Sequence, residues 1–230
     1  MRIPTVAALV AAGVLIGWTG TAVAAAQPAC IELGGTVDQD QMCQVHTANA
    51  TYTFDYTFPV GYPDQQAVAG YLIQTRDGFV NVSQMPGSRD QPYVLDARGT
   101  EYTSGTPPRT QSLVFEVYQD IGGPHPQTWY KTFNYNLATR APITFDALFR
   151  PDSRPLDVVF PIVQRELQKH SGAELAIPPS VGLDPTHYQN FAITDDAVIF
   201  FFGQGEMLAE AAGASQASVP RSAVAQLLAV

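Results

Sequence analysis

Residues 113–149 read LVFEVYQDIGGPHPQTWYKTFNYNLATRAPITFDALF, and this stretch predicts the centre of the fold. Two apolar and aromatic runs flank a Gly-Gly-Pro-His-Pro turn, a pattern typical of a long β-hairpin. Gly122 and Gly123 permit positive φ at the bend, and a proline on each side holds His125 rigid. We therefore interpret the turn as structural, and His125 as a catalytic base only where a serine lies beside it.

Outside the hairpin, apolar residues recur with strand periodicity in some segments and with helical periodicity in others. The predicted strands are 51–58, 93–104, 111–118, 129–137, 188–193, 197–202 and 216–219, and the predicted helices are 64–85, 143–149, 155–170 and 220–228. Pro161 lies inside the third helix, so we expect a kink there or a helix that begins close to Asp157. These elements predict one α+β domain, with a mixed or antiparallel β-sheet packed on two main helices.

The first residues have the pattern of a signal peptide. Arg2 precedes an uncharged apolar run, 3–18, and a small-residue stretch at 22–26 provides the cleavage signal. A membrane span needs about 20 apolar residues, which exceeds this run. We predict that residues 1–24 are removed, with cleavage as late as Ala26, leaving 25–230 as a secreted, extracellular domain without membrane attachment. A lipid anchor is not expected, because Gln27-Pro28-Ala29 precedes Cys30 where a lipoprotein has apolar and small residues.

The chain has two cysteines, Cys30 and Cys43. In an exported protein they are expected to form a disulfide, which by loop entropy contributes about 3 kcal/mol and fastens the N-terminal segment. The alternative is a metal site, but His46 is the one histidine nearby and zinc takes about four ligands. We predict the disulfide rather than a metal site.

The formal net charge is −9, and loss of Arg2 with the leader makes the exported chain more acidic. Such a surface repels nucleic-acid phosphates and anionic membranes, and it attracts basic proteins. The expected partner is therefore a basic protein rather than nucleic acid, and the chain is expected to be a monomer.

Candidate catalytic residues are few. No G-x-S-x-G nucleophile motif occurs, although a triad is defined by geometry and does not require one. His125 and His187 are the best candidate bases, with Asp184, three positions before His187, as the candidate acid partner. The alternative interpretation makes His125 a turn residue and His187 a surface residue. Asp195-Asp196 is expected to form a turn, and Glu206 and Glu210 are expected to be solvated.

The mature chain resembles the mycobacterial secreted immunogenic proteins, the MPT-type antigens, over nearly everything after Cys30. The motifs that carry the resemblance are Tyr62-Pro63-Asp64-Gln65, Thr75-Arg76-Asp77, Gly122-Gly123 with His125-Pro126, Pro161-Ile162-Val163-Gln164, Gly182-Leu183-Asp184-Pro185, Tyr188-Gln189-Asn190-Phe191-Ala192, Val198-Ile199-Phe200-Phe201-Phe202 and Val219-Pro220-Arg221-Ser222-Ala223. More distantly, residues 113–222 resemble the extracellular domain of RsiV, a lysozyme-sensing anti-sigma factor.

The resemblance implies a β-grasp-like sheet that holds a helix, with one disulfide and no cofactor. It also implies a secreted antigen at the host interface, which favours a non-catalytic binding protein. Because esterase activity is attributed to a relative, a short-chain carboxylesterase is the alternative function. Binding of a basic host protein such as lysozyme is the second alternative.

Overall fold

The longest strands lie side by side in a mixed seven-stranded sheet. In chain order its strands are Thr36–Val37 (β1), Met42–Ala48 (β2), Tyr52–Pro59 (β3), Tyr93–Ser104 (β4), Thr110–Asp120 (β5), Gln127–Asn136 (β6) and Ala141–Pro142 (β7). The computed structural model describes residues 28–87, 91–171 and 176–230, so the predicted signal peptide lies outside the described residues. Spatial order follows chain order; β3 and β4 are parallel, and their neighbours pair antiparallel.

The helix Gln65–Ser83 (α2) provides the crossover that the parallel β3–β4 pair requires. Asp64 begins it as predicted, because its carboxylate accepts a hydrogen bond from the Ala67 N–H at 3.0 Å. Val68, Leu72 and Phe79 are buried in one cluster with the aromatic face of β3. The helix held on a mixed sheet confirms the expected β-grasp-like arrangement.

The predicted disulfide joins Cys30, in the short helix Pro28–Glu32 (α1), to Cys43 in β2, with their Cα atoms 5.7 Å apart. Gly35 leaves space for this bridge. A Cβ at that position would lie 2.8 Å from the Cys43 sulfur and 2.9 Å from the Cys30 sulfur. Glycine is therefore required where the chain passes over the bridge.

A second sheet of three strands holds the other long helix. Its strands are Phe191–Ile193 (β8), Ala197–Phe202 (β9) and Ser215–Pro220 (β10), in the order β10-β9-β8. The predicted AVIFFF strand is central, and Leu156–Ser171 (α4) packs its Val159, Val163 and Leu167 into the same core. The helix runs through Pro161 and begins next to Asp157, the second of the two predicted outcomes.

Side chains of the large sheet cap the free edge of β8. Ser112 Oγ accepts a hydrogen bond from the Ile193 N–H at 3.1 Å, and Thr132 Oγ1 accepts one from the Phe191 N–H at 3.1 Å. Asn134 Nδ2 donates to the Phe191 carbonyl at 2.8 Å. Val114 and Phe201 pack in a small cluster between the sheets. The α+β class is confirmed, with strands divided between two sheets that pack between α2 and α4.

Two segments differ from their predicted structure. The terminal helix is limited to Arg221–Val224 (α6), because Ala229 N–H bonds the Leu148 carbonyl and Leu228 forms an isolated bridge with Phe149. The segment 143–149 forms the short helix Phe145–Leu148 (α3), as predicted, whereas residues 177–185, for which no helix was predicted, contain the short helix Pro179–Gly182 (α5). Within the described ranges, no helix combines the length and apolarity needed to cross a membrane.

Candidate functional site

The predicted hairpin turn lies between β5 and β6 and carries His125. Gly122 has φ +72°, and its N–H donates to Asp120 Oδ1 at 2.9 Å, so the bend uses the positive φ that the sequence predicted. His125 is exposed and lines a cleft of ≈ 540 Å³ together with Thr128, Gln204 and Glu210. The lining of this cleft contains no serine among the described residues.

His187 lies in the 3₁₀ turn Pro185–Tyr188 and meets a carboxylate that the sequence did not indicate. Its Nδ1 is 3.6 Å from Glu206 Oε1, and each of the two side chains is 26% exposed. The second carboxylate oxygen of Glu206 accepts the Gly203 N–H at 2.6 Å, which orients the carboxylate towards the ring. This separation is within ion-pair distance and beyond hydrogen-bond distance, so the carboxylate lies beside the imidazole without a hydrogen bond to it.

Asp184, the predicted partner of His187, serves the local backbone instead. It precedes the 3₁₀ turn, and its Oδ1 accepts hydrogen bonds from the Thr186 hydroxyl at 2.7 Å and the Thr186 N–H at 2.9 Å. Those two bonds from Thr186 lower the pKa of Asp184 below its ordinary value. Its carboxylate is therefore engaged as the cap of the turn.

Neither candidate base is hydrogen-bonded to a hydroxyl in the part of the chain that the structure describes. Ser153 lines a pocket of ≈ 460 Å³ with Phe149, Leu156 and Leu183, but its hydroxyl donates to the Arg150 carbonyl at 2.6 Å. That pocket has no histidine in its described lining. The structure thus places a carboxylate beside His187 and, separately, a serine in a pocket.

His125 and His187 nevertheless both lie beside the same loop, residues 203–213, which follows β9. Gln204 and Glu210 line the cleft of His125, and Glu206 contacts His187. Helical spacing suggested that Glu206 and Glu210 were both solvated. The structure corrects this for Glu206, since residues 204–206 form a turn that directs its side chain inward, while Glu210 is exposed.

Metal-ligating side chains are dispersed. Among the described residues, no group of three or more His, Cys, Asp or Glu side chains is placed to hold a metal ion. Asp195, in the turn between β8 and β9, accepts the Gly105 N–H at 2.6 Å and so connects the two sheets.

Aromatic side chains and one lysine lie together along the junction of α2 and β6, and we name them the aromatic seam: Tyr62, which is buried, and Tyr71, Trp129, Lys131 and Phe133, which are partly exposed. Trp129 Nε1 donates to the Tyr71 hydroxyl at 2.9 Å. Lys131 Nζ lies 5.8 Å from the centroid of the Tyr71 ring and 5.3 Å from that of Phe133. Cavities of ≈ 360 Å³ and ≈ 520 Å³ lie beside these residues.

Known proteins are similar to this chain in sequence and in fold. Residues 146–222 match a family model described as a protein of unknown function, DUF3298. Over 99% of both chains, the sequence is 56% identical to a Mycobacterium tuberculosis protein named Esterase Rv3036c. It is 48% identical, over 96% of this chain and 97% of the relative, to the Immunogenic protein MPT64 of the same species. The chain belongs to the MPT64 family.

Membership in the MPT64 family confirms the resemblance seen in the sequence motifs. A solved DUF3298 structure from Bacteroides fragilis has a TM-score of 0.55 at 12% identity, covering 85% of this chain and 94% of that one, which shows a common fold. The likeness of residues 113–222 to the RsiV domain stays a prediction. Of these two full-length relatives, one is named an esterase and the other an immunogenic protein.

Proposed function

We propose that this chain is an exported immunogenic protein of the MPT64 type that acts by binding at the host interface, without catalysing a reaction. One observation carries the proposal: in the described residues, neither His125 nor His187 is hydrogen-bonded to a hydroxyl that it would activate. A serine hydrolase needs its nucleophile within hydrogen-bond reach of the base, at about 2.6–3.2 Å. The Glu206 contact then serves to join the 3₁₀ turn to the loop 203–213.

Hydrolysis of p-nitrophenyl acetate and butyrate by the purified protein tests this proposal. We expect the wild-type protein and the His187→Gln variant to hydrolyse the esters at equal rates. Both rates should equal the rate measured in buffer that contains heat-denatured protein. Turnover by the wild-type protein that His187→Gln abolishes, and that Lys169→Gln leaves intact, would overturn a purely binding role.

A secreted carboxylesterase is the second candidate function. The full-length relative at 56% identity that is named an esterase favours it. In this function His187 is the general base, and Glu206, rather than the Asp184 that the sequence suggested, orients its ring. The nucleophile is then a serine that a fluorophosphonate probe labels, so mass spectrometry of the labelled peptide identifies it. Absence of labelling, with the probe active on a control hydrolase, excludes this function.

Export is the third part of the proposal, and the charge-free run at 3–18 followed by small residues supports it. The protein recovered from culture medium should begin at residue 25 or 27 when its N-terminus is sequenced. Recovery in the cell pellet alone, with Met1 retained, would contradict export.

A further inference from the structure

The ≈ 460 Å³ pocket that Ser153 lines is mainly apolar, and we name it the apolar pocket. Phe145 and Phe149, which are 4% and 5% exposed, belong both to its lining and to the core that α4 shares with the small sheet. Leu156 is partly exposed in the pocket, and Leu183 is 42% exposed. Apolar side chains therefore line this opening from its buried floor to the surface of the molecule.

The walls of the apolar pocket are fastened to neighbouring elements. On one side, Arg150 Nε donates to the Leu228 carbonyl at 3.0 Å, which holds this wall against the C-terminal segment. On the other side, Gly182 packs directly on Phe160, since a Cβ at that position would lie 1.9 Å from the ring, and this contact positions the adjacent Leu183. A site whose walls are fixed before a ligand arrives loses little conformational entropy on binding.

Charged side chains stand at the mouth of the apolar pocket rather than on its floor. All five are exposed, and they are Asp146, Arg150, Asp152, Arg154 and Asp157. Arg154 is paired with Asp157 at 3.0 Å. Because three carboxylates stand against two guanidinium groups, the mouth is weakly acidic and repels an anion. A charged group would also lose hydration over the apolar floor, so the lining favours a ligand without charge.

We propose that the apolar pocket binds a neutral aliphatic chain, such as the hydrocarbon chain of an uncharged ester or alcohol. The chain lies over Phe149 and Leu156 and covers Leu183, and its polar end stays in water at the mouth. The pocket has the size of a small-molecule site, and burial of each methylene group of the chain is favourable. The proposal goes beyond the function proposed above and does not depend on it, so its failure would leave the assays of ester hydrolysis unaffected.

Displacement of N-phenyl-1-naphthylamine, a neutral probe that fluoresces in apolar surroundings, tests the proposal. Purified protein with bound probe is titrated with 1-octanol, and octanoate at neutral pH serves as the charged counterpart of equal chain length. We expect 1-octanol to displace the probe saturably and octanoate to bind at least about fivefold more weakly. The shorter 1-butanol should bind at least about tenfold more weakly than 1-octanol, because half of the carbon chain is absent.

The variants Leu183→Asn and Val158→Asn form a matched pair. Both side chains are exposed, at 42% and 37%, but Val158 is absent from the described lining of the apolar pocket. We expect Leu183→Asn to weaken binding of 1-octanol at least about tenfold and Val158→Asn to leave it unchanged. Both variants should unfold in urea close to the wild type, because the two side chains lie at the surface.

Amide chemical shifts locate the bound chain. Addition of 1-octanol should shift the amide signals of Phe149, Leu156 and Leu183, and it should leave those of the aromatic seam in place. Equal affinity of Leu183→Asn and the wild type, equal affinity for octanoate and 1-octanol, or unchanged signals of Phe149, Leu156 and Leu183 at millimolar 1-octanol would each overturn the proposal.

Discussion

Glu206 connects two parts of the molecule through one carboxylate. One oxygen accepts the Gly203 N–H at 2.6 Å, and the other lies 3.6 Å from His187 Nδ1. The Glu206 side chain is 26% exposed. When this carboxylate is removed by mutation, water therefore only partly replaces the hydrogen bond that the Gly203 N–H has lost. Glu206 alone makes these two contacts, and the nearby Glu210 is exposed and makes neither of them.

We expect Glu206→Ala to lower the free energy of unfolding by about 1–3 kcal/mol, because the Gly203 N–H loses its acceptor. Glu206→Gln retains an acceptor oxygen and should cost less than about 1 kcal/mol. Urea midpoints at constant slope measure both changes. The exposed Glu210→Ala is the matched control and should stay within about 0.5 kcal/mol of wild type. Equal costs for the alanine and glutamine variants would argue against the backbone contact.

At the edge of β8, side chains of the large sheet, rather than a further strand, satisfy the backbone groups of the small sheet. An edge strand leaves unpaired N–H and C=O groups, and here Ser112, Thr132 and Asn134 satisfy those of Phe191 and Ile193. Ser112 is fully buried, so water does not substitute for its hydroxyl. These polar side chains fix where the small sheet docks on the large one.

Ser112→Ala should therefore destabilise the protein by about 1–3 kcal/mol, through the buried Ile193 N–H that is left without an acceptor. Thermal or urea unfolding measures the loss. Ser218→Ala is the matched control, since Ser218 is exposed on β10 and its replacement removes the same atom. If both variants unfold with the wild type, the hydroxyl does not stabilise the junction.

The sequence predicted an element well when its hydrogen bonds lie within the same segment, and less well when they join residues that are distant in the chain. Helix α2 and the hairpin of β5 and β6 were predicted well, because periodicity, caps and turns act within the segment. Strand β2 was missed, since its buried side chains are few and one of them is Cys43. The terminal helix was overextended because Leu228 and Ala229 bond to residues near 148, which no local pattern reveals.

For the candidate site, the sequence indicated the residue types, whereas the contact between His187 and Glu206 joins residues that are distant in the chain. His187 and the turn at His125 were identified, but Asp184 was assigned to His187 because the two are close in the chain. The Thr186 hydroxyl and N–H satisfy Asp184 locally, and the distant Glu206 meets the imidazole. The turn at 204–206, which places Glu206, contains Gly205 at φ +78°, a backbone conformation that favours glycine, so this glycine is the signal from which a turn could have been predicted.

Buried tyrosines make the whole molecule sensitive to alkali. Burial raises the pKa of Tyr130 from 10.0 to about 12, and it also raises the pKa of Tyr56, Tyr62 and Tyr188. Between pH 10 and about 12 the unfolded chain releases protons that the folded chain retains, so the free energy of unfolding falls as pH rises. Below about pH 10 this contribution is complete.

We therefore expect the urea midpoint to be constant from pH 8 to 9.5 and to fall steadily above about pH 10. Tyr130→Phe should reduce the slope of that fall, because phenylalanine releases no proton. The exposed Ser218→Ala, which removes no titrating group, is the control and should leave the slope unchanged. A midpoint that does not respond to pH between 10 and 11.5 would contradict burial of these hydroxyls in the folded chain.

The acidic net charge predicts that binding of a basic protein such as lysozyme, the second alternative function, depends on salt concentration. Asp96 and Glu116 lie on the sheet face opposite α2, beside Asp55, and Arg98 on the same face pairs with Asp96 at 3.1 Å. We expect lysozyme to co-elute with the protein at about 10 mM salt and to separate at about 1 M, where the Debye length is about 3 Å. The double variant Asp96→Asn, Glu116→Gln should bind less tightly. Separate elution at the lowest ionic strength would exclude this partner.

The caps on β8 also bear on the order in which the chain folds. Their donors and acceptors are separated by 57, 59 and 81 positions, so no short segment contains both members of a pair. Contacts that close such long loops form late, after the local hairpin of β5 and β6 is in place. We expect the amides of Phe191 and Ile193 to exchange with solvent only on opening of the entire protein, so that both sheets behave as one cooperative unit.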